Sequence, residues 1–480
     1  MKKMLFWVLP LMMSSVCHAE DITIHYNGSK AKVTQTIKDS VKVTVKGANV
    51  NIESLYKDHK LTLLVKGKSN DGQLNLKTAG KAKVKLDGLN LTSQEGAPIC
   101  LKNKKKVEVV ATKGTKNTLT ITACNDTANH KGAVIWAKDK LLLSGKGTLN
   151  INATGDGCRG IKTKKDITIE ELTLNINTSG DNLGEKPFGM GGFSGMPEGG
   201  FQMPEGGMPN FGGGFPGFPG MPNDSTMRNG FPGFPGGMPN FGGFAGKHKY
   251  VASTKGIASK GKIIINSGKV TVRTSTAGAE GIEGKEGVVF NGGDVDVLST
   301  DDAINANACI EFNGAHVVAR SKGNDAVDSN PKNGFFMPFG GNNNQEQDTA
   351  IIIRDGAVYA WSQVGSPEEG LDCDFASFVI EGGNIFSVGG GMGEMPSVPT
   401  NATAKQPTVL LIGAQVAKDE PITISDEKGT VLDTVTVPFS MKRSASLVSS
   451  PAFKVGGTYT VKTKDYEKTF TITENFTTVR

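Results

Sequence analysis

The chain has 480 residues, with 63 Gly, 21 Pro and 7% aromatic residues, a turn-rich composition in which amphipathic helical patterns are hard to find. Its formal net charge of +6 does not point to nucleic acid, because lysines crowd the first third and acids gather between residues 280 and 374, with no basic helix. We therefore expect an all-β protein that has no nucleic-acid partner.

Residues 1–19 have the pattern of a cleaved signal peptide. Two lysines precede an apolar run from Met4 to Met13, and the segment ends in the small residue Ala19. No segment reaches the roughly 20 apolar residues that a membrane helix needs. We expect a secreted, periplasmic or cell-surface protein without a membrane span; acylation at Cys17, as in a lipoprotein, is the alternative.

A repeated phrase organises the chain between residues 81 and 400. Each copy has a β-rich run, a Gly, two alternating apolar residues, a polar turn, and then a small residue followed by an apolar one, usually Ile. Copies begin at Leu141, Ile263, Val288 and Ile310, and the period is about 22–27 residues. This length fits three short strands per turn and is too short for a β-propeller blade, while the leucine-rich consensus is absent.

We therefore predict a right-handed parallel β-helix over residues 81–400, in which equivalent positions stack about 4.8 Å apart. Inward positions should form apolar ladders. One predicted ladder consists of Ile99, Ile135, Ile161, Ile257, Ile282, Ile304, Val327 and Leu371, and another of Val270, Val295, Val317, Val358 and Ile385.

Both ends of the repeat have strand-like sequence of a different kind. Residues 20–80 predict an N-terminal β cap, and residues 405–480 predict a C-terminal β module of short antiparallel strands. Caps are expected because the last coil of a β-helix otherwise offers open strand edges.

Two insertions interrupt the repeat. Residues 183–250 consist largely of Gly, Met, Pro and Phe, and residues 331–348 are similar in miniature. Proline blocks strand pairing, and the apolar density of a core is missing, so we expect disordered loops. The alternative is that the larger insertion contacts a partner protein or cell-wall material.

The runs Lys83–Thr120 and Ser444–Val461 resemble the secreted β-helical carbohydrate-binding domain family long catalogued as a domain of unknown function. The resemblance implies a right-handed β-helix related in fold to pectate-lyase-like polysaccharide lyases, calcium at acidic turns, and a role in binding polysaccharide. Residues 158–162 and 255–258 depart from the acidic turn that the family would have there.

Aligning the repeats exposes paired acidic positions that flank the small and apolar residues. In a stacked coil these side chains form a column, and carboxylates about 5 Å apart repel each other unless a cation neutralises them. We therefore predict calcium in this column, with ordinary solvated turn residues as the alternative. The pairs are Glu280 with Glu283, Asp302 with Asn305, Asp325 with Asp328, and Glu369 with Asp372.

Three aromatic residues are candidates for sugar contacts. If Val358 points inward, then Tyr359 and Trp361 point outward, and Phe386 lies beside Tyr359 on the next coil. Exposed aromatic faces can stack against pyranose rings. The alternative is that these side chains pack beneath the C-terminal module.

Removing the predicted signal leaves Cys100, Cys124, Cys158, Cys309 and Cys373, which allow at most two disulfides and do not reveal their pairing.

Taken together, the sequence predicts a calcium-dependent polysaccharide-binding protein that is not an enzyme. The alternatives are a calcium-assisted lyase, with a base among Arg320, Lys322 and Lys285, and a surface adhesin or structural protein.

Overall fold

The computed structural model describes residues 20–37, 39–124, 132–185, 250–331, 348–373, 376–391 and 395–480. Within these ranges the regular structure is entirely β, as predicted. None of the described residues forms a helix that is long and apolar enough to cross a membrane. The predicted signal peptide and nearly all of both predicted insertions lie outside the described residues.

The strands, numbered in chain order, are β1 (Ile22–Asn27), β2 (Lys30–Gln35), β3 (Val41–Lys46), β4 (Asn49–Ser54), β5 (Leu61–Ser69), β6 (Gln73–Thr78), β7 (Ala82–Ser93), β8 (Ile99–Asn103), β9 (Val107–Ala111), β10 (Lys116–Ile121), β11 (Ala133–Ala137), β12 (Leu141–Ser144), β13 (Thr148–Ala153), β14 (Arg159–Thr163), β15 (Ile167–Ile169), β16 (Thr173–Thr178), β17 (Leu183–Glu185), β18 (Tyr250–Ala252), β19 (Lys255–Ser259), β20 (Ile263–Ile265), β21 (Lys269–Thr274), β22 (Glu280–Gly284), β23 (Val288–Phe290), β24 (Asp294–Ser299), β25 (Ile304–Ala306), β26 (Ile310–Ser321), β27 (Val327–Ser329), β28 (Thr349–Ser362), β29 (Leu371–Asp372), β30 (Ser377–Ile380), β31 (Asn384–Gly389), β32 (Thr408–Val416), β33 (Pro421–Asp426), β34 (Val431–Thr436), β35 (Met441–Ser449), β36 (Thr458–Lys462), β37 (Glu467–Thr471) and β38 (Phe476–Val479).

Successive repeats stack through parallel pairing. The first strand of each repeat pairs with the first strand of the next, which gives the series β8, β11, β14, β19, β22, β25, β27 and β29. The second and third strands form parallel series of the same kind, as in β12–β15–β20 and β13–β16–β21. The predicted parallel stacking of repeats is thus confirmed, and the right-handed sense of the coil stays a prediction.

Both predicted apolar ladders are present in the pairing register. Ile135 pairs with Ile99 and Ile161, and the series continues strand by strand to Leu371. The second ladder runs from Val270 to Ile385 in the same way. These side chains are buried, because alternate residues of a strand point to opposite faces and the repeat keeps apolar residues on one of them.

A glycine precedes the ladder residue in several coils because the neighbouring coil is too close for a side chain. A Cβ atom on Gly256 would lie 2.3 Å from Val272 Cγ1 and 2.5 Å from the carbonyl oxygen of Gly281. Gly281 meets Val297 and Ala303 at similar distances. These glycines therefore allow an approach between coils that a side chain would block.

The two ends of the stack differ from its middle. At the N-terminal end, β1–β2 and β3–β4 are antiparallel hairpins, and parallel pairing begins at β1–β5 and β4–β6, within residues 20–80. At the C-terminal end, β31 and β32 both pair antiparallel with β35, while β33, β34, β36 and β37 form an antiparallel sheet. The covering of strand edges at each end follows the principle that exposed edges invite aggregation.

Candidate functional site

The predicted acidic residues occupy two neighbouring outward rows on the sheet that contains β22, β25, β27 and β29. In one row Glu283, Asn305, Asp328 and Asp372 are successive register partners. The other row is aligned by backbone hydrogen bonds, in which the residue after each acid donates to the carbonyl oxygen of the acid on the next coil. Its members are Glu280, Asp302, Asp325 and Glu369. The column inferred from the repeat alignment therefore exists as a geometric feature.

Three carboxylates of this column converge. One oxygen from each of Asp302, Asp325 and Asp328 lies within 4.8 Å of the others. Their exposed fractions are 1%, 7% and 3%. The side-chain nitrogen of Asn305 donates 2.8 Å hydrogen bonds to Asp302 Oδ2 and Asp328 Oδ2. We call Asp302, Asp325, Asp328 and Asn305 the acidic cluster.

Burial dominates the electrostatics of the acidic cluster. Loss of solvent raises the pKa of Asp325 well above its ordinary value, and the nearby carboxylates of Asp372 and Asp328 raise it further. A backbone N–H donated by Glu369 to Asp325 Oδ1 at 2.5 Å opposes this only in part. The cluster thus gathers negative charge where water cannot screen it, which is an environment that favours protonation or a bound cation.

The donor set of the acidic cluster fits a hard cation such as calcium. Calcium takes carboxylate and amide oxygens as ligands, and three buried carboxylates supply both the oxygens and the compensating charge. The side-chain nitrogen of Asn305 faces these carboxylates as a donor. A 180° rotation of the amide would present its oxygen to a cation instead.

The next predicted pair, Glu369 and Asp372, is held by a residue that the sequence analysis missed. The backbone N–H of Ser397 donates to Glu369 Oε2 at 2.7 Å, and its hydroxyl donates to Asp372 Oδ1 at 2.9 Å. Ser397 lies past the last strand of the repeat, so no repeat alignment could have placed it here.

The Glu280–Glu283 pair has a different environment from the one predicted. The ammonium group of Lys255 lies 2.8 Å from both Glu280 Oε2 and Glu283 Oε2, and Lys285 lies 2.5 Å from Glu283 Oε1. Burial would raise the pKa of Glu283, but Lys255 and Lys285 lower it to about 2. Lys255 and Lys285 thus already pair with these carboxylates, which weakens the reason for placing calcium here, and calcium at this pair stays a prediction.

Earlier coils carry cations at equivalent positions. Arg159 and Lys162 stand on β14, where the sequence departs from the family pattern. Burial, with a smaller contribution from the neighbouring charge of Arg159, lowers the pKa of Lys162 to about 7. The outward rows therefore change from cationic to acidic along the stack.

The aromatic side chains predicted to contact sugar are largely covered in the structure. Phe386 is 1% exposed and Trp361 is 8% exposed, and both belong to an apolar cluster with residues of the C-terminal strands, such as Val409. Tyr359 packs against the same cluster. The reason is that β35 pairs with β31 and the C-terminal module covers this end of the stack, which was the alternative reading of the sequence.

A second outward surface was missed by the sequence analysis. Beyond the row of Lys116, Thr148 and Thr173, the outward residues of β10, β13 and β16 are uncharged amides and hydroxyls, and parallel pairing aligns them in two further rows. Asn175 Nδ2 donates to Asn150 Oδ1 at 2.9 Å, which links neighbouring coils. The alternation of Thr or Asn with Leu or Ile was the available signal. This polar face consists of Thr118, Thr120, Asn150, Asn152, Asn175 and Asn177, all partly or fully exposed.

Two of the candidate lyase bases are engaged in ion pairs. Arg320 pairs with Asp296, which also binds Arg273 at 2.5 Å. Lys285 pairs with Glu283, as described above. Each of these two side chains is therefore held at a neighbouring carboxylate.

Comparison with known proteins agrees with the resemblance seen in the sequence. A curated protein of Acetivibrio thermocellus, named a carbohydrate-binding domain-containing protein, is 33% identical over 117 residues, which cover 23% of this chain and 40% of that protein. The chain therefore spans less than half the length of this relative.

A solved structure of the polysaccharide lyase-like protein from C. thermocellum, a gadolinium derivative, is 19% identical and covers 64% of this chain and 92% of its own, with a TM-score of 0.41. A family model described as carbohydrate-binding domain-containing protein matches residues 46–186 and 244–329. The resemblance to the carbohydrate-binding domain family is thereby confirmed over these two ranges.

Proposed function

We propose that the protein is a secreted, calcium-dependent polysaccharide-binding protein whose stacked strands form a right-handed parallel β-helix. The family match supports carbohydrate as the ligand class. The observation that carries the calcium dependence is the convergence of Asp302, Asp325 and Asp328 within 4.8 Å in a buried position.

Calcium would be held by the carboxylates of Asp302, Asp325 and Asp328, with the amide of Asn305 between them. A bound calcium ion supplies positive charge that offsets the mutual repulsion of these carboxylates. Asp302 precedes β25 and Asp328 lies on β27, which pairs with β25, so an ion held by both carboxylates would link successive coils.

The polar face is the proposed contact for the polysaccharide, since the aromatic residues are covered. Amide and hydroxyl groups both donate and accept hydrogen bonds, as sugar hydroxyls do. Their spacing is regular, about 4.8 Å between coils and about 6.6 Å along a strand. A flat, repeating array of this kind suits an extended polymer better than a single small sugar, because each coil repeats the same contact.

The test is retention of the purified protein on a panel of insoluble and acidic polysaccharides, with calcium and with chelator. We expect retention on at least one polymer, loss of retention in Asn152→Ala with Asn177→Ala, and unchanged retention in Asn291→Ala, which alters an exposed coil asparagine outside the polar face. Retention that survives the double substitution would reject the polar face as the contact.

The calcium part of the proposal is tested separately in the same assay. Asp325→Ala with Asp328→Ala should reproduce the effect of chelator in the presence of calcium, whereas Glu283→Gln should not. Equal retention with calcium and with chelator contradicts calcium dependence. Release of unsaturated uronate products from any of the polymers would assign lyase activity instead of binding alone.

A further inference from the structure

Two cysteine sulfur atoms border one small space between successive coils. A methyl group built on Gly132 would lie 3.6 Å from both Cys124 Sγ and Cys158 Sγ. Cys158 is fully buried in the main core, and Cys124 is partly buried and packs against that core. The absence of a side chain at Gly132 leaves room in which the two sulfur atoms can approach each other.

Backbone contacts bring these two chain segments together independently of the side chains. Gly155 donates a 3.3 Å hydrogen bond to the carbonyl oxygen of Ile121, three residues before Cys124. Cys158 in turn donates to the carbonyl oxygen of Gly155 at 3.1 Å, and Arg159 donates to Gly132 at 3.0 Å. The end of β10 and the turn before β14 are therefore fixed against each other by the stacking of the coils.

The other cysteines occupy different surroundings. Cys100 lies in a small cluster with Ala133 and Trp136. The thiol of Cys309 donates to the carbonyl oxygen of Ile310 at 3.8 Å, and that of Cys373 donates to Ala376 at 3.3 Å. Cys124 and Cys158 are the pair whose sulfur atoms border the space beside Gly132.

We propose that Cys124 and Cys158 are a modification site, at which a disulfide bond joins two successive coils of the stack. In the structure both residues are thiols. Both sulfur atoms face the space beside Gly132, where a change of side-chain rotamer would bring them together.

The oxidant of this reaction is a small-molecule or protein disulfide. The Cys124 thiolate attacks one sulfur of the oxidant, forming a mixed disulfide and releasing one thiol. The Cys158 thiolate then attacks Cys124 Sγ, the bond between the coils forms, and the second thiol of the oxidant leaves. Two protein thiols are oxidised, one oxidant disulfide is reduced to two thiols, and both protons pass to the departing thiolates.

The two cysteines differ in their readiness to react. Burial raises the pKa of Cys158 to about 12, with smaller contributions from Cys124 and Asp156. Little of the Cys158 thiol is ionised at neutral pH, so closure of the bond should be slow there and faster as the pH rises. The order of attack, with the more exposed Cys124 first, follows from this difference.

The test uses the purified chain without its signal peptide, held folded and treated with oxidised glutathione. Trypsin should then yield peptides 117–131 and 147–159 joined by one disulfide, with a mass about 2 Da below the sum of the two thiol peptides. The melting temperature should rise by roughly 2–4 °C because the bond restricts the unfolded chain. Reduction with dithiothreitol should reverse both effects.

Cys124→Ser and Cys158→Ser should each abolish the linked peptides and the rise in melting temperature, while Cys309→Ser should keep both. Because Cys158 is buried and its substitution can disturb folding, Cys124→Ser is the decisive variant. The proposal is overturned if the folded chain forms no 124–158 bond, if it forms the bond only after denaturation, or if Cys124 pairs with another cysteine.

Discussion

The early and late coils of the stack carry opposite charges at equivalent outward positions. Arg159, Lys162 and Lys255 stand where later coils have Asp302, Asp325 and Asp328. At the boundary, Lys255 neutralises Glu280 and Glu283 through direct ion pairs. The same fold position is therefore paired with lysine in one coil and gathers buried carboxylates two coils later.

The early and late coils can be compared position by position because they share one apolar ladder. Ile304 is fully buried in the ladder that both halves use, so Ile304→Asp places an uncompensated charge there. We expect the free energy of unfolding to fall by about 3–5 kcal/mol or more, enough to unfold the protein. Circular dichroism and denaturant titration measure this effect, with Asn307→Asp at an exposed position as the control. A native circular dichroism spectrum and an unchanged denaturant titration for Ile304→Asp would contradict a core ladder shared by both halves of the stack.

Lys255→Met turns the balanced pair into an acidic one. Removal of one partner from a buried ion pair costs about 3–5 kcal/mol, because the two carboxylates lose their shared counter-charge. We also expect calcium to restore part of this loss. Lys285→Met, at a half-exposed ion pair, should cost about 0–1 kcal/mol. Denaturant titration measures the free energy of unfolding of both variants. Similar losses in the two would contradict the conclusion that Lys255 neutralises Glu280 and Glu283.

The acidic cluster should respond to calcium directly. At a concentration 100 times its dissociation constant, an ion that binds only the folded state adds about 2.7 kcal/mol to the free energy of unfolding. Calorimetry should show this rise in the unmodified protein and in Glu283→Gln, but not in Asp325→Ala with Asp328→Ala. An equal rise in all three proteins would place the bound calcium elsewhere.

Lys162 is expected to give the smallest effect, a pH-dependent change in stability that reports on the cationic early coils. Its pKa of about 7 in the folded chain lies below the unfolded value, so the unfolded state binds more protons between about pH 7 and 10. Stability should therefore increase as the pH rises through this window. Lys162→Met should remove this slope and stabilise the protein by about 1–3 kcal/mol at pH 6, where the lysine is charged in both states.

The exposed Lys164→Met serves as the control for this experiment, and denaturant titrations from pH 6 to 10 supply the measurement. If Lys162→Met keeps the slope of the unmodified protein, then Lys162 is not the group that titrates.

The positions of the acidic residues could be predicted from the sequence, but the partners of their carboxylates could be predicted only in part. The repeat alignment placed Asp302 on one coil and Asp325 and Asp328 on the next, because register is inherited from the core ladder. It could not foresee that Lys255 reaches Glu280 and Glu283, or that Ser397 holds Glu369, since these contacts depend on side-chain reach between coils and on chain beyond the repeat.

The aromatic residues show the same division. Alternation correctly sent Val358 into the core and Tyr359 to the outer face, but whether an outward side chain is exposed depends on what packs against it. The strand β35, about sixty residues later, pairs antiparallel with β31 and places Val448 in the same apolar cluster as Phe386. No local pattern near residues 359–386 contains that information.

The sequence by itself determined the all-β class, the parallel stacking, the apolar ladders and the two acidic rows, because each follows from a period that every coil repeats. Only the tertiary structure decided which acids are neutralised by lysine, which converge in a buried cluster, which aromatics are covered and which cysteines meet. Those outcomes depend on contacts between residues far apart in the chain, where charge, burial and distance act together and no repeat fixes them.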